Sequence, residues 1–250
     1  MSELKEPKLR DGRNLHKHEP YLIGEIPDEI IRKVGAEIVY LLYTGRKDMT
    51  GNDWANIFAR SIGGESFDSP LGVADICCGN MAWSMKTVKT NSISKATSVR
   101  LISGRNSPDY SYGIENPHDD IQKTGDAVLA IWNGRVQIAY RDFSPVRVGV
   151  LIRNYSMTEF CFYEENVHEY DLKKYTWIEN RQHNFEGHDE KGNHCFTWQP
   201  HGSQFTIIEQ IPKNAVYFKV KKPPILGLDT ALKELNFNES WVTILRNRKG

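Results

Sequence analysis

The sequence predicts an α/β (α+β) fold: a central mixed β-sheet flanked by helices over residues 25–165, then a β-rich portion over residues 166–250 that is either part of the same domain or a second one. Three observations carry this expectation. Apolar residues recur at helical spacing after Pro27, and two short apolar runs flank a turn at Gly79 and Asn80. Beyond them, Val148 to Ile152 and Phe160 to Tyr163 are rich in β-branched and aromatic residues, as sheet strands are.

Composition narrows the function classes. Lys plus Arg and Asp plus Glu both number 32 among the 250 residues, so there is no global positive field and any nucleic-acid surface must come from local clustering. Cys77, Cys78, Cys161 and Cys195 match neither a Cys-x-x-Cys metal site nor a disulfide framework, and read as reduced thiols. No apolar run approaches the roughly 18 residues that span a bilayer, so a soluble intracellular protein with no membrane partner is expected.

Residues 1–24 are charged and rich in Pro and His, and are expected to form an irregular arm. Pro27 then suits a first helical position, Asp28 and Glu29 favour the positive end of a helix dipole, and Ile30, Ile31, Val34, Ile38, Leu41 and Leu42 form one apolar face. Glu37, three residues after Val34 and four before Leu41, lies at the edge of that face. Either it snorkels or pairs with an Arg, or it is a ligand aimed at the turn region. Asn52 or Asp53 is expected to cap a second helix bearing Trp54, Ile57, Phe58 and Ile62, and residues 65–70 to form a loop whose Glu65 or Asp68 could also reach a metal.

Gly72 to Thr90 reads as a β-hairpin. Residues equidistant from the Gly79–Asn80 turn lie opposite each other, so Asp75 faces Ser84, and Lys86, two residues on, shares the Ser84 face. The three can converge at one point. They could form only an exposed ion pair of little energetic weight, but the apolar flanks favour a buried hairpin. Phosphodiester hydrolysis needs a metal to neutralise developing charge, an in-line water and a group to orient it. Asp75, a second acid, the Met85 main-chain carbonyl and Lys86 could supply these.

After the hairpin, Val99 to Ile102 reads as a strand leading into Gly104, Arg105 and Asn106, residues suited either to base edges or to an ordinary turn. Ala127 to Trp132 and Arg135 to Tyr140, flanking Asn133–Gly134, read as a second hairpin. Between Tyr175 and Phe205 lie Trp177, His183, His188, His194, Trp198 and His201, with Gln199, Ser203 and Gln204 among them. Base reading is one interpretation and a histidine metal site another, although the histidine spacings fit no zinc pattern. The runs Lys219 to Lys222 and Arg246 to Lys249 are basic.

An acid on one strand followed by an acid-x-Lys on the next resembles the PD-(D/E)XK nuclease superfamily, and the layout resembles a type II restriction endonuclease. The resemblance rests on Asp75 and on Ala82-Trp83-Ser84-Met85-Lys86-Thr87-Val88-Lys89, with eight residues between Asp75 and Ser84. Ala74 stands where that family has Pro, and Ser84 where it has its second acid. What the resemblance implies is a restriction-endonuclease-like core that cleaves double-stranded DNA in the cytoplasm of a prokaryote, as part of restriction-modification. Asp75, Glu37 and the Met85 carbonyl would bind Mg²⁺, Lys86 would position the attacking water, and Ser84 would support them, with Glu37 replacing the missing acid from a neighbouring helix. It also implies a homodimer on a palindromic site. Arg105, Asn106, Lys89, Gln199, His201, Ser203 and Gln204 are the candidate DNA contacts. A non-catalytic or repair-type DNA-binding protein of the same fold, and a His-rich metal-binding module, are the alternatives.

Overall fold

Helix α1 (Asp28–Tyr43) buries the six apolar residues that its periodicity marks, and Asp28 and Glu29 occupy its first turn. The computed structural model describes residues 19–245, so most of the expected arm and the basic run from Arg246 lie outside the described residues. Helix α2 (Gly51–Ile62) starts one residue before the expected cap. Thr50 is the N-cap, and Asp53 closes a capping box by accepting the Thr50 N–H while its own N–H donates to the Thr50 hydroxyl. The helix ends at Gly63, whose φ of 72° suits a residue without Cβ.

The stretch expected as a loop is an edge strand, β1 (Glu65–Leu71), almost wholly exposed and irregularly paired. Its polar sequence conceals it because neither face is buried. The hairpin follows as expected: β2 (Ala74–Cys78) and β3 (Met81–Thr90) pair antiparallel, Ile76 opposite Trp83 and Cys77 opposite Ala82. Strand β4 (Ser98–Arg105) and the short helix α3 (Pro108–Tyr112) come next.

The second expected hairpin does not exist. Residues 127–140 lie inside α4 (Ile121–Asp142), capped by Asp120. Thr124, Val128, Trp132, Val136 and Ala139 are buried at steps of three and four, and that periodicity overrides the local turn signal of Asn133–Gly134. Strands β5 (Val146–Asn154) and β6 (Glu159–Asn166) match the two apolar runs. They are followed by β7 (Tyr175–Glu179), β8 (Phe185–Asp189), β9 (His194–Gln199), β10 (Gln204–Gln210), β11 (Val216–Lys219) and helix α5 (Leu228–Glu234).

The strands form two sheets. One is six-stranded and mixed, in the order β1-β2-β3-β5-β6-β11, with β3 and β5 parallel and joined through α4; the other is five-stranded, in the order β4-β10-β9-β8-β7. The fold is therefore mixed α/β, as expected, but the chain does not divide at residue 165. Strand β4 joins the second sheet and β11 returns to the first.

The first sheet separates two cores. Ile76, Met81, Trp83, Met85, Phe160 and Phe162 face α1 and α2. Ala74, Ala82, Val148, Val150, Cys161 and Tyr163 face α4 and the second sheet, which contributes Leu101, Phe196, Phe205 and Ile207. Because side chains alternate along a strand, Ser84 and Lys86 belong with Ala82 on the side of the second sheet.

Candidate functional site

Three side chains predicted to converge do so on a single oxygen. Asp75 Oδ2 accepts the Met85 backbone N–H at 2.7 Å and the Ser84 hydroxyl at 3.4 Å, and lies 3.8 Å from Lys86 Nζ. Regular pairing of β2 with β3 stops at Ile76 and Trp83, so the Asp75 carboxylate takes the Met85 N–H that the ladder would otherwise use. The Met85 carbonyl lies on that same edge of β3. Ser84 is 1% exposed, and the Asp75 and Lys86 side chains retain 22% and 21% of their accessible surface. This is a recessed group rather than a surface ion pair.

Lys86 opens into a cleft of about 440 Å³ between the two sheets, where Ser103 and Glu209 of the second sheet face Ser84, Lys86 and Glu165 of the first. Glu209 lies on the inward row of β10 with Phe205 and Ile207, and the Tyr163 hydroxyl donates to its Oε2 at 3.3 Å. Solvent reaches part of the Lys86 side chain, yet the cleft walls lower its proton affinity; Asp75 and Glu209 oppose the shift and Arg135 adds to it. Burial pushes the Glu209 carboxyl up to about 7, with Glu165 acting in the same sense and the Tyr163 hydrogen bond and Lys86 in the opposite one. Sequence reasoning passed over Glu209, although an acid between Ile207 and Ile211 on one strand face was a readable signal.

Arg135, also passed over because its segment was read as a strand, fastens the second sheet to the hairpin. Its guanidinium donates to Ser103 O at 2.6 Å, to Asn106 Oδ1 at 3.3 Å and to Gly72 O at 3.3 Å. The approach is close: a Cβ on Gly104, at φ 104°, would sit 2.5 Å from the guanidinium.

Glu37 is not at this site. It forms a two-pronged ion pair with Arg60 of α2, at 2.9 and 2.7 Å, and the first sheet lies between it and Asp75. Helix periodicity placed Glu37 correctly at the edge of its apolar face, but α1 packs on the sheet face opposite to the one that carries Asp75. Glu65 and Asp68 are exposed on edge strand β1, and Glu65 pairs in register with Cys77 rather than Asp75.

Of the candidate DNA contacts, Arg105, Gln199, His201, Ser203 and Gln204 lie together at one end of the second sheet, where Gln204 is opposite both Arg105 and Gln199. Asn106 does not join them as a base reader. It is 0% exposed, its amide donates to Val128 O, its Oδ1 accepts from Arg135 and its carbonyl accepts from Trp198. Lys89 lies further along β3, paired with Asp48 and over the Tyr155 ring.

The histidines disperse: the His188 and His194 rings stack at 5.1 Å, His183 and His118 both contact Glu179, and His201 is exposed at the β9–β10 turn. Among the described residues no group of three or more His, Cys, Asp or Glu side chains is placed to hold a metal ion. All four cysteines are unpaired. None of the described helices is long and apolar enough to cross a membrane. No family model, curated protein or solved structure matches the chain.

Proposed function

We propose that the protein is a Mg²⁺-dependent, sequence-specific endonuclease of double-stranded DNA, with a restriction-endonuclease-like core. The observation that carries this reading is the meeting of the Met85 N–H, Ser84 and Lys86 on one carboxylate oxygen of Asp75, at the mouth of a cleft between two sheets. The acid and the lysine sit on adjacent antiparallel strands of a mixed sheet, as the resemblance to the PD-(D/E)XK superfamily requires. The polar cluster at Arg105, Gln199 and Gln204 is coupled to that hairpin through Arg135, which supports a link between DNA reading and chemistry.

The donor set is compatible with Mg²⁺, which keeps several waters and takes one or two protein carboxylates together with substrate phosphate oxygens. Asp75 and the Met85 carbonyl would hold the ion, and Glu37 is withdrawn from that role. Bound there, Mg²⁺ would neutralise charge on the scissile phosphate. Lys86 orients the attacking water, and Ser84 keeps Asp75 turned towards it. Action on a palindromic duplex calls for a homodimer. Leu235, Trp241, Ile244 and Leu245 stand more than half exposed near the C-terminal end and would suit a contact between copies.

Digestion of a sequenced plasmid with Mg²⁺, followed by mapping of the ends, tests the proposal; defined ends at one sequence are expected. The second reading, a non-catalytic DNA-binding protein, draws support from Ser84 in the position of an acid and from Glu37 lying beyond the sheet. Sequence-specific binding with no cleavage in either Mg²⁺ or Mn²⁺ would favour it.

A further inference from the structure

Strands β2 and β3 supply Asp75 and Lys86 but no further group to take the proton of an attacking water, and the acid of the first sheet that lines the cleft, Glu165 on β6, is exposed to solvent. Asp75 Oδ2 accepts from two donors, Ser84 and the Met85 N–H, and Lys86 Nζ stands 3.8 Å from it as their cation. The second sheet offers one across the cleft. Glu209 is an acid on an otherwise apolar inward row, between Ile207 and Ile211, and it lines the same cleft as Lys86.

A half-buried acid retained for packing alone would be expected to pair with Arg or Lys at short range. Among the described residues Glu209 has no such ion pair; the Tyr163 hydroxyl donates to its Oε2, and the residue lines the cleft. The charged and titratable groups around it are Lys86 on β3, Tyr163 and Glu165 on β6, Tyr170 and His168 in the following loop, and Arg135 on α4.

We propose that Glu209 is the general base of the site, delivered by the second sheet and aimed by Tyr163, so that the catalytic group is completed only where the two sheets pack together. This rests on the hydrolase reading above. In the step, the water oxygen forms a bond to phosphorus while its proton passes to the Glu209 carboxylate. The phosphorus–oxygen ester bond breaks with its electron pair on the departing ester oxygen, which takes a proton from solvent. Burial tunes the carboxyl to exchange a proton near neutrality, where a general base is most effective.

The test is single-turnover cleavage across a pH series by the wild type, Glu209→Gln, Tyr163→Phe and Asp75→Ala, with DNA binding measured in Ca²⁺. The wild-type rate should rise through a limb centred near pH 7. Glu209→Gln should lose that limb and slow by about 10²- to 10⁴-fold with DNA binding unchanged. Tyr163→Phe should slow cleavage less than Glu209→Gln does and move the limb to higher pH, because the lost hydrogen bond favours the ionised carboxylate. If Asp75→Ala abolishes cleavage while Glu209→Gln cuts at the wild-type rate with the wild-type limb, this proposal fails and the hydrolase reading stands. A wild-type protein that cuts no DNA overturns both.

Discussion

Lys86 Nζ lies 3.8 Å from the same Asp75 oxygen that accepts the Met85 N–H, so the charge of the lysine and the backbone of its own strand are locked to one carboxylate. Each partner therefore has a separable role. Asp75→Ala should abolish cleavage and weaken Mg²⁺ binding, measurable by calorimetry. Lys86→Ala should abolish cleavage while leaving DNA affinity within a few-fold of wild type. Wild-type cleavage by Lys86→Ala would rule out the proposed mechanism.

The second sheet bears on stability as well as on chemistry. Glu209 ionises near 7 when folded and at about 4.5 when unfolded, so between those values the folded chain holds a proton that the unfolded chain has released. Stability contributed by this group is present below the unfolded value and falls as pH rises through 7, by an amount on the order of 3 kcal/mol. Glu209→Gln should thus raise the thermal midpoint at pH 8 relative to wild type and do so far less at pH 4.5. Equal shifts at both pH values would contradict the folded-state burial of Glu209.

Arg135 bonds to Ser103 O, Asn106 Oδ1 and Gly72 O from within α4. Arg135→Ala should destabilise the protein by about 2 to 3 kcal/mol in denaturant titration, since buried carbonyls lose a charged donor. Arg135→Lys should not restore it, because a single ammonium cannot span three acceptors as a planar guanidinium does.

Glu164 accepts from Tyr21, Trp83 and Arg147 in the helix-facing core, and burial raises its pKa against those partners. Arg147→Ala, which strands that carboxylate, should destabilise by roughly 3 to 5 kcal/mol in urea. The Glu37–Arg60 pair, partly open to water, should behave differently: Glu37→Ala should change stability by less than about 1 kcal/mol. Its cleavage rate and Mg²⁺ dependence should match the wild type, and a strong loss of activity would restore Glu37 to the site.

The contrast between Glu37 and Asp75 shows where sequence reasoning reaches its limit. Periodicity marks which face of a helix is buried, and α1 follows it residue for residue; it does not say which side of a sheet receives that face. The hairpin was legible because strand alternation and a Gly–Asn turn agree, and both signals are local. In α4 they disagreed, Asn133–Gly134 against a three-and-four spacing from Thr124 to Ala139, and the longer pattern prevailed because packing against the second sheet rewards it. Asn106 looked like a base reader by residue type, but hydrogen bonds to residues 22, 29 and 92 positions away along the chain hold it in the core. Glu209 was visible in the alternation of β10, whereas its proximity to Lys86 depends on sheet packing that one strand does not encode.

The proposed function requires that the Asp75–Lys86 group cut duplex DNA at a defined sequence. Its most direct test is digestion of a sequenced plasmid with Mg²⁺ by the wild type and Lys86→Ala side by side. Discrete fragments sharing one terminal sequence are expected from the wild type and intact plasmid from the variant. Intact plasmid from both, or identical fragments from both, would contradict it.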